Sequence, residues 1–150
     1  MVRRQLAAGI GEERVLAYVM FASILTFIAR VPDLVAAHNA LGAGAPQFTT
    51  FIGSNIVASV IFAPLFLYGL AAVSHVIAKT IGGQGDWFAA RLALFWCLLS
   101  LQPLVLIRAY MIAPYVSDNT KFFLSILIGV LFLAIWLRAL RAVEWPVAPA

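Results

Sequence analysis

Four long runs of apolar residues, separated by short polar segments, dominate the sequence. They cover about residues 15–30, 50–78, 87–112 and 120–141. A helix rises about 1.5 Å per residue, and the hydrocarbon core of a bilayer is about 30 Å thick. The pattern therefore predicts an all-α integral membrane bundle of about four transmembrane helices, with residues 1–150 forming one membrane domain.

The first apolar run is short for a span, and basic residues such as Arg4 and Arg14 precede it. A cleaved signal peptide is therefore the alternative interpretation. No small-residue cleavage pattern follows the run, because the sequence continues as RVPD at residues 30–33. We therefore favour an uncleaved first helix.

A short amphipathic pattern follows at Pro32, a residue that disfavours helical geometry at the position before it. The spacing i, i+3, i+4, i+7 recurs at Val31, Leu34, Val35 and His38. This pattern predicts a separate interfacial helix over about residues 32–41, lying along the membrane surface.

Prolines inside the second and third runs predict kinks near two polar side chains. Asn55 lies in the same apolar run as Pro64, and Pro103 directly follows Gln102. One interpretation is a small intramembrane cleft that binds a lipid or quinone headgroup. The alternative is that these side chains form interhelical hydrogen bonds and satisfy backbone groups freed by the prolines.

Composition supports the membrane assignment and excludes several classes. Hydrophobic residues make up 64% of the chain, charged residues 11%, and the mean hydropathy is +1.02. Soluble domains are nearer 25% charged. Cys97 is the single cysteine, which excludes a disulfide framework. The net charge is +4, but the sequence has no basic helix face in which aromatic residues alternate with Lys and Arg. No nucleic-acid partner is therefore expected.

The basic residues near the runs are distributed unequally between the two sides. Seven fall on the side of the termini: Arg3, Arg4, Arg14, Lys79, Arg91, Arg138 and Arg141. Three fall on the other side: Arg30, Arg108 and Lys121. The positive-inside rule predicts that both termini are cytoplasmic, in what we expect to be a bacterial inner membrane.

Residues that could carry chemistry are few. His38 and His75 fall near opposite membrane surfaces, so they are not expected to bind one haem or metal together. The carboxylates fall in termini, loops or caps, and no Walker loop, HExxH or nucleophile elbow is present. We therefore expect no catalytic residue, no metal and no cofactor.

A glycine-rich segment between the second and third runs predicts a tight structural turn. Gly82, Gly83 and Gly85 supply backbone freedom, and Asp86 stands at the N-cap position of a helix that opens at Trp87. Beyond it, Arg91 and Arg108 are seventeen residues apart, or about 25 Å along a helix. Candidate interface anchors are Arg91, Arg108, Trp87 and Trp145.

From about residue 75 to residue 103 the chain resembles the Yip1 family of small multispan membrane proteins. The likeness lies in an apolar helix, the GG-x-G turn with a polar and an aromatic residue after it, and Ala89-Ala90-Arg91 leading into a span with Trp96 and a proline. The chain departs from the family in having four predicted spans rather than about five. The resemblance implies association with membranes and membrane proteins, in eukaryotes including Rab-type GTPases, and no established catalytic residues.

These observations predict a non-enzymatic membrane scaffold or accessory subunit that packs against lipid and partner helices or against itself. The alternative is a lipid or quinone binder or carrier that uses the cleft at Asn55, Pro64, Gln102 and Pro103.

Overall fold

Five α-helices account for most of the chain that the computed structural model describes, residues 11–145. They are α1 (Glu12–Ala40), α2 (Phe48–Val57), α3 (Ala63–Thr80), α4 (Trp87–Ile107) and α5 (Asp118–Glu144). No β-strand occurs in these described residues. The prediction of an all-α fold is confirmed.

Four continuous helical stretches are long and apolar enough to cross a membrane, and we number them spans 1 to 4. They are Glu12–Ala40, Phe48–Thr80, Trp87–Tyr115 and Asp118–Glu144. Their lengths, between 27 and 33 residues, exceed the roughly 20 residues that a bilayer core requires. The chain is therefore a helical membrane protein. Span 4 ends three residues later than the predicted residue 141, which brings Glu144 into the helix.

The predicted break at Pro32 is wrong, because α1 continues through it to Ala40. Pro32 has no N–H to donate to the carbonyl of Ile28, four residues earlier. The hydroxyl of Tyr110 donates to that carbonyl instead, at 2.6 Å. Residues 32–41 thus form the last turns of α1 and its C-cap rather than a separate interfacial helix.

Two π-helical turns, in spans 2 and 3, each end two residues before a proline. The first, Ala58–Phe62, precedes Pro64 and joins α2 to α3, and the second, Arg108–Ile112, precedes Pro114. In each turn a backbone N–H donates to the carbonyl five residues earlier. The wider turn redirects hydrogen bonds that a proline interrupts, so the predicted kink at Pro64 takes the form of a π turn.

Helix α4 is the central element of the bundle. Its side chains Leu92, Leu94 and Phe95 are fully buried, against Val15 and Val19 of α1 among others. Of the most apolar stretch of span 3, 44% is buried inside the protein, whereas the figure for span 4 is 6%. Span 4 therefore leaves most of its surface to lipid or to another protein.

Polar contacts between distant parts of the chain join the helices at one end of the bundle. At one end, Arg91 forms an ion pair with Glu12 at 2.5 Å, and the backbone N–H of Gln84 donates to the carbonyl of Glu144 at 2.7 Å. We call this the turn end, because it contains the segment 81–86. The opposite end, which contains residues 41–47 and 113–117, is called the loop end.

Candidate functional site

The turn between α3 and α4 closes α3 with a Schellman motif. Gly82 has a φ of +90°, a value that residues with a Cβ adopt at a cost. Its N–H donates to the carbonyl of Lys79, and the N–H of Gly83 donates to the carbonyl of Ala78 at 2.9 Å. These are the 5→2 and 6→1 bonds of the motif. The left-handed conformation thus falls on Gly82 alone among the three glycines of the turn.

Asp86 begins α4 from the other side of this turn. Its Oδ1 accepts a hydrogen bond from the backbone N–H of Ala89 at 2.6 Å, which is the N-cap geometry expected from the sequence. The carboxylate also lies at the positive end of the helix dipole. The start of the central helix is therefore fixed by a side chain of the turn itself.

Glu144 of α5 enters this turn from a distant part of the sequence. Its Oε2 accepts from the N–H of Gly85 at 3.1 Å, in addition to the backbone bond between Gln84 and Glu144. A Cβ at Gly83 or Gly85 would lie 2.8 or 2.7 Å from Oε2. These two glycines are thus required for the close approach of Glu144, whereas Gly82 is required for its φ.

The second carboxylate oxygen of Glu144 contacts His75 of α3. The distance from His75 Nδ1 to Glu144 Oε1 is 2.7 Å, and the side chains are 1% and 0% exposed. The ring of Trp87 covers the imidazole, with centroids 4.6 Å apart. One buried carboxylate therefore joins α3, the glycine turn and α5.

From the sequence alone, His75 is predicted near a membrane surface and Glu144 in a terminal segment, and no contact between them is predicted. His75 is instead buried, and so is Glu144, although it lies in the last turn of α5. The sequence does contain an indication of this contact. Both residues fall near the same predicted membrane surface, and the glycines of the turn there leave space for a carboxylate.

The polar contacts of this cluster hold α3, the glycine turn and α5 together, and His75 Nε2 is buried without a hydrogen-bond partner among residues 11–145. The hydroxyl of Ser74, next to His75, donates to the carbonyl of Ala71 at 2.8 Å. Within residues 11–145, no group of three His, Cys, Asp or Glu side chains is arranged to hold a metal ion. A carboxylate–imidazole pair that also accepts a backbone N–H fixes three elements in register.

The predicted interface anchors have different surroundings. Arg91 pairs with Glu12, donates to the carbonyl of Trp87 at 3.1 Å and lies 5.8 Å from the ring centre of Tyr68. Arg91 therefore contacts residues of spans 1, 2 and 3, in addition to lying near the membrane surface. Trp87 and Trp145 are 49% and 39% exposed at the turn end.

Arg108 lies near the loop end, inside the π turn of span 3. One of its Nη atoms donates to the carbonyl of Lys121 at 3.4 Å, while its buried Nε has no partner among the described residues. Asp118 pairs with Lys121 at 2.8 Å. Arg108 thus contacts the start of α5 through the backbone.

The predicted cleft is only partly present. Asn55 donates to the carbonyl of Phe51 in its own helix, Pro64 is buried, and Pro103 is exposed. Gln102 does line a cavity, but together with residues of α1 and of the π turn. The sequence therefore indicated one of the polar residues of this cavity and not the others.

This intramembrane cavity has a volume of about 300 Å³ and lies between spans 1, 2 and 3. Its polar lining residues include Ser23, Thr26, Ser59 and Gln102. Gln102 Nε2 donates to Thr26 Oγ1 at 3.0 Å. Gln102 Oε1 and Ser23 Oγ are buried without a partner in the described chain. Gln102 Oε1 and Ser23 Oγ are therefore available to a small polar group, and Arg30 and Ser59 also line the cavity.

The fold and these contacts define a four-span helical membrane protein whose α5 is tied to the glycine turn by Glu144. Comparison with protein-family models, curated proteins and solved structures finds no match to this chain. Function is therefore inferred from its own surfaces and cavities.

Proposed function

We propose that this chain is a non-enzymatic membrane scaffold or accessory subunit of the Yip1-like type, whose span 4 binds transmembrane helices of a partner or of a second copy. The observation that carries the proposal is the exposure of α5. Only 6% of the most apolar stretch of span 4 is buried, and α5 packs mainly on α4. The resemblance at the glycine turn supports the same role.

The exposed face of α5 has features that favour helix association in lipid. Burial of apolar surface drives little association there, because lipid tails are as apolar as the side chains, so close packing and polar contacts matter more. Ser125 and Gly129 are four residues apart and exposed. Apart from its chain neighbours and the adjacent backbone of α5, no atom of the described residues lies within 4 Å of the position that a Cβ would take at Gly129. Another helix could approach the backbone closely at this position.

The proposal includes an orientation. We propose that the turn end faces the cytoplasm of a bacterial cell and that the protein resides in the inner membrane. The distribution of Lys and Arg supports this orientation. Lys79, Arg138 and Arg141 lie close to the turn end, in the last turns of α3 and α5.

A matched pair of glycine substitutions tests the scaffold role. Gly129→Ile and Gly69→Ile add the same bulk to exposed helical positions where a Cβ meets nothing, in span 4 and span 2 respectively. Assembly size would be measured by sedimentation in mild detergent, and co-purifying proteins would be identified.

The proposal expects Gly129→Ile to release the partner or dissociate the oligomer, while Gly69→Ile behaves as the wild type. A wild-type chain that sediments as a monomer without a partner would contradict it. Equal behaviour of the two variants would contradict the assignment to span 4.

A second candidate function is binding of a small lipid-soluble molecule, such as a quinone, in the cavity at Gln102. The observation that favours it is the pair of buried, unpartnered polar atoms, Gln102 Oε1 and Ser23 Oγ. Leaving such groups unpaired costs about 1–3 kcal/mol each, so a ligand that bonds both would gain affinity.

Organic extracts of purified protein test this second function. A stoichiometric compound that is present in the wild type and absent from Gln102→Leu would support it. The control is Asn55→Leu, because the Asn55 amide bonds its own helix. An extract without such a compound, or an equal loss in both variants, would contradict it.

A further inference from the structure

A second opening, unrelated to the cavity at Gln102, lies at the turn end between α3 and α5. It is a groove of about 1010 Å³, larger than most small-molecule pockets, which span about 300–1,000 Å³. Its walls are apolar on both helices, and two arginines of α5 lie among them. The lining includes Ile77, Ile81, Trp136, Leu137, Arg138 and Arg141.

Arg138 and Arg141 are the charged residues among those that line the groove. Arg138 and Arg141 are three residues apart on α5, so they are neighbours on the helix surface, and both are exposed. Neither forms an ion pair with any residue in 11–145. The nearest carboxylate along α5, Glu144, is fully buried and bonded to His75 and Gly85. Among the described residues, the groove lining therefore has a net positive charge.

The position of this charge matches the chemistry of a phospholipid. Arg138 and Arg141 follow the uncharged stretch of α5, residues 122–137, and so lie where an apolar span meets a membrane surface. Trp145, which also lines the groove, lies at the same end and is 39% exposed. Guanidinium groups bind phosphate oxygens through two parallel N–H donors.

From this geometry we propose that the groove is a binding site for one anionic phospholipid. The phosphate lies between the guanidinium groups of Arg138 and Arg141. An acyl chain lies against Ile77 and Leu137, towards the membrane centre. An apolar helix of a partner protein would leave both cations unneutralised, so charge complementarity favours the lipid. Gly129 is not among the residues that line this groove.

The test compares phosphatidylglycerol with phosphatidylcholine of identical acyl chains, added to the full chain in mild detergent. Native mass spectrometry gives the apparent affinity for each lipid. The variants are Arg138→Gln and Arg141→Gln, and the control is Arg14→Gln. Arg14 is an exposed arginine in the first turn of α1, also at the turn end, and lies outside the groove.

The wild type and Arg14→Gln should prefer phosphatidylglycerol, and each groove variant should lose roughly fivefold of that preference, the equivalent of about 1 kcal/mol per arginine. Helicity and thermal stability in the absence of added lipid should be unchanged, since both side chains are exposed and form no ion pair within residues 11–145. If a glutamine variant fails to fold, the corresponding Arg→Lys variant is measured and should show a smaller loss.

Three results would overturn the proposal. The first is a wild type with no preference between the two lipids. The second is an equal loss in Arg14→Gln, which would indicate general attraction to an anionic surface. The third is a protein ligand, including a second copy of the chain, that is displaced by the groove substitutions while lipid binding is unaffected.

Discussion

His75 and Glu144 are 69 residues apart in the sequence, yet His75 Nδ1 lies 2.7 Å from Glu144 Oε1 and both side chains are fully buried. The same carboxylate accepts from the N–H of Gly85. Span 4, which is otherwise largely exposed, is therefore connected to span 2 and to the glycine turn through one residue, Glu144.

Removal of either member of this pair should destabilise the protein strongly. His75→Ala or Glu144→Ala leaves a buried polar partner unsatisfied, and we expect each to lower the free energy of unfolding by about 3 kcal/mol. The double variant should cost less than the sum of the two, with a coupling energy of about 1–3 kcal/mol. Equilibrium unfolding in mixed micelles measures all four proteins.

A matched control for the buried pair is the exposed ion pair of Asp118 with Lys121. Asp118→Ala should leave the unfolding midpoint unchanged, because its side chain is 94% exposed. Additive effects of His75→Ala and Glu144→Ala would show that the two side chains do not act as a unit, contrary to the structure.

The three glycines of the turn should differ in their sensitivity to alanine. Gly82→Ala places a Cβ in open space but at a φ of +90°, at a cost of about 1–2 kcal/mol. Gly83→Ala and Gly85→Ala should cost more, because the Cβ would lie 2.9 Å from the carbonyl oxygen of Ala78 and 3.0 Å from that of Val143, respectively. The measurement is the free energy of unfolding.

Alanine at Gly69 is the control for the turn glycines, since a helical Cβ there meets nothing within 4 Å and its φ is not positive. That change should be neutral or stabilising by up to about 1 kcal/mol. The account of the turn would be wrong if Gly85→Ala were as harmless as Gly69→Ala.

Tyr110 and Pro32 should show compensating effects. Tyr110→Phe removes the hydroxyl that donates to the Ile28 carbonyl, so it should lower the free energy of unfolding by about 1 kcal/mol. Pro32→Ala restores a backbone N–H that can donate to that carbonyl. Tyr110→Phe should therefore cost much less in the Pro32→Ala background, and an equal cost in both backgrounds would contradict the proposed role of Tyr110.

The main features of the fold follow from local sequence, whereas the contacts that organise the site do not. Apolar runs predicted the four spans, and the identity of Gly82 and Asp86 predicted the turn and the start of α4, because the responsible atoms lie within a few residues. The pairing of Glu144 with Gly85 depends on the register of α5 against α3, which hydropathy does not specify.

The continuation of α1 through Pro32 could not be predicted either, because it also depends on a contact between residues that are distant in the sequence. A proline breaks or kinks a helix unless another donor replaces its missing N–H, and here that donor is Tyr110, 82 residues from Ile28. The cavity residues Ser23, Thr26 and Ser59 were likewise missed, because spans 1 and 2 bring them to Gln102 only when packed.

The arrangement of the two ends on opposite sides of the membrane is the central claim, and labelling of single cysteines in intact cells tests it most directly. Cysteines at Gln84, Ala43 and Asn119 would occupy exposed positions, and the native Cys97 is buried. With a membrane-impermeant maleimide, the cysteines at positions 43 and 119 should react in intact bacteria. The cysteine at position 84 should react only after permeabilisation. Reaction at position 84 from outside, or equal accessibility of all three positions, would contradict the four-span structure with a cytoplasmic turn end.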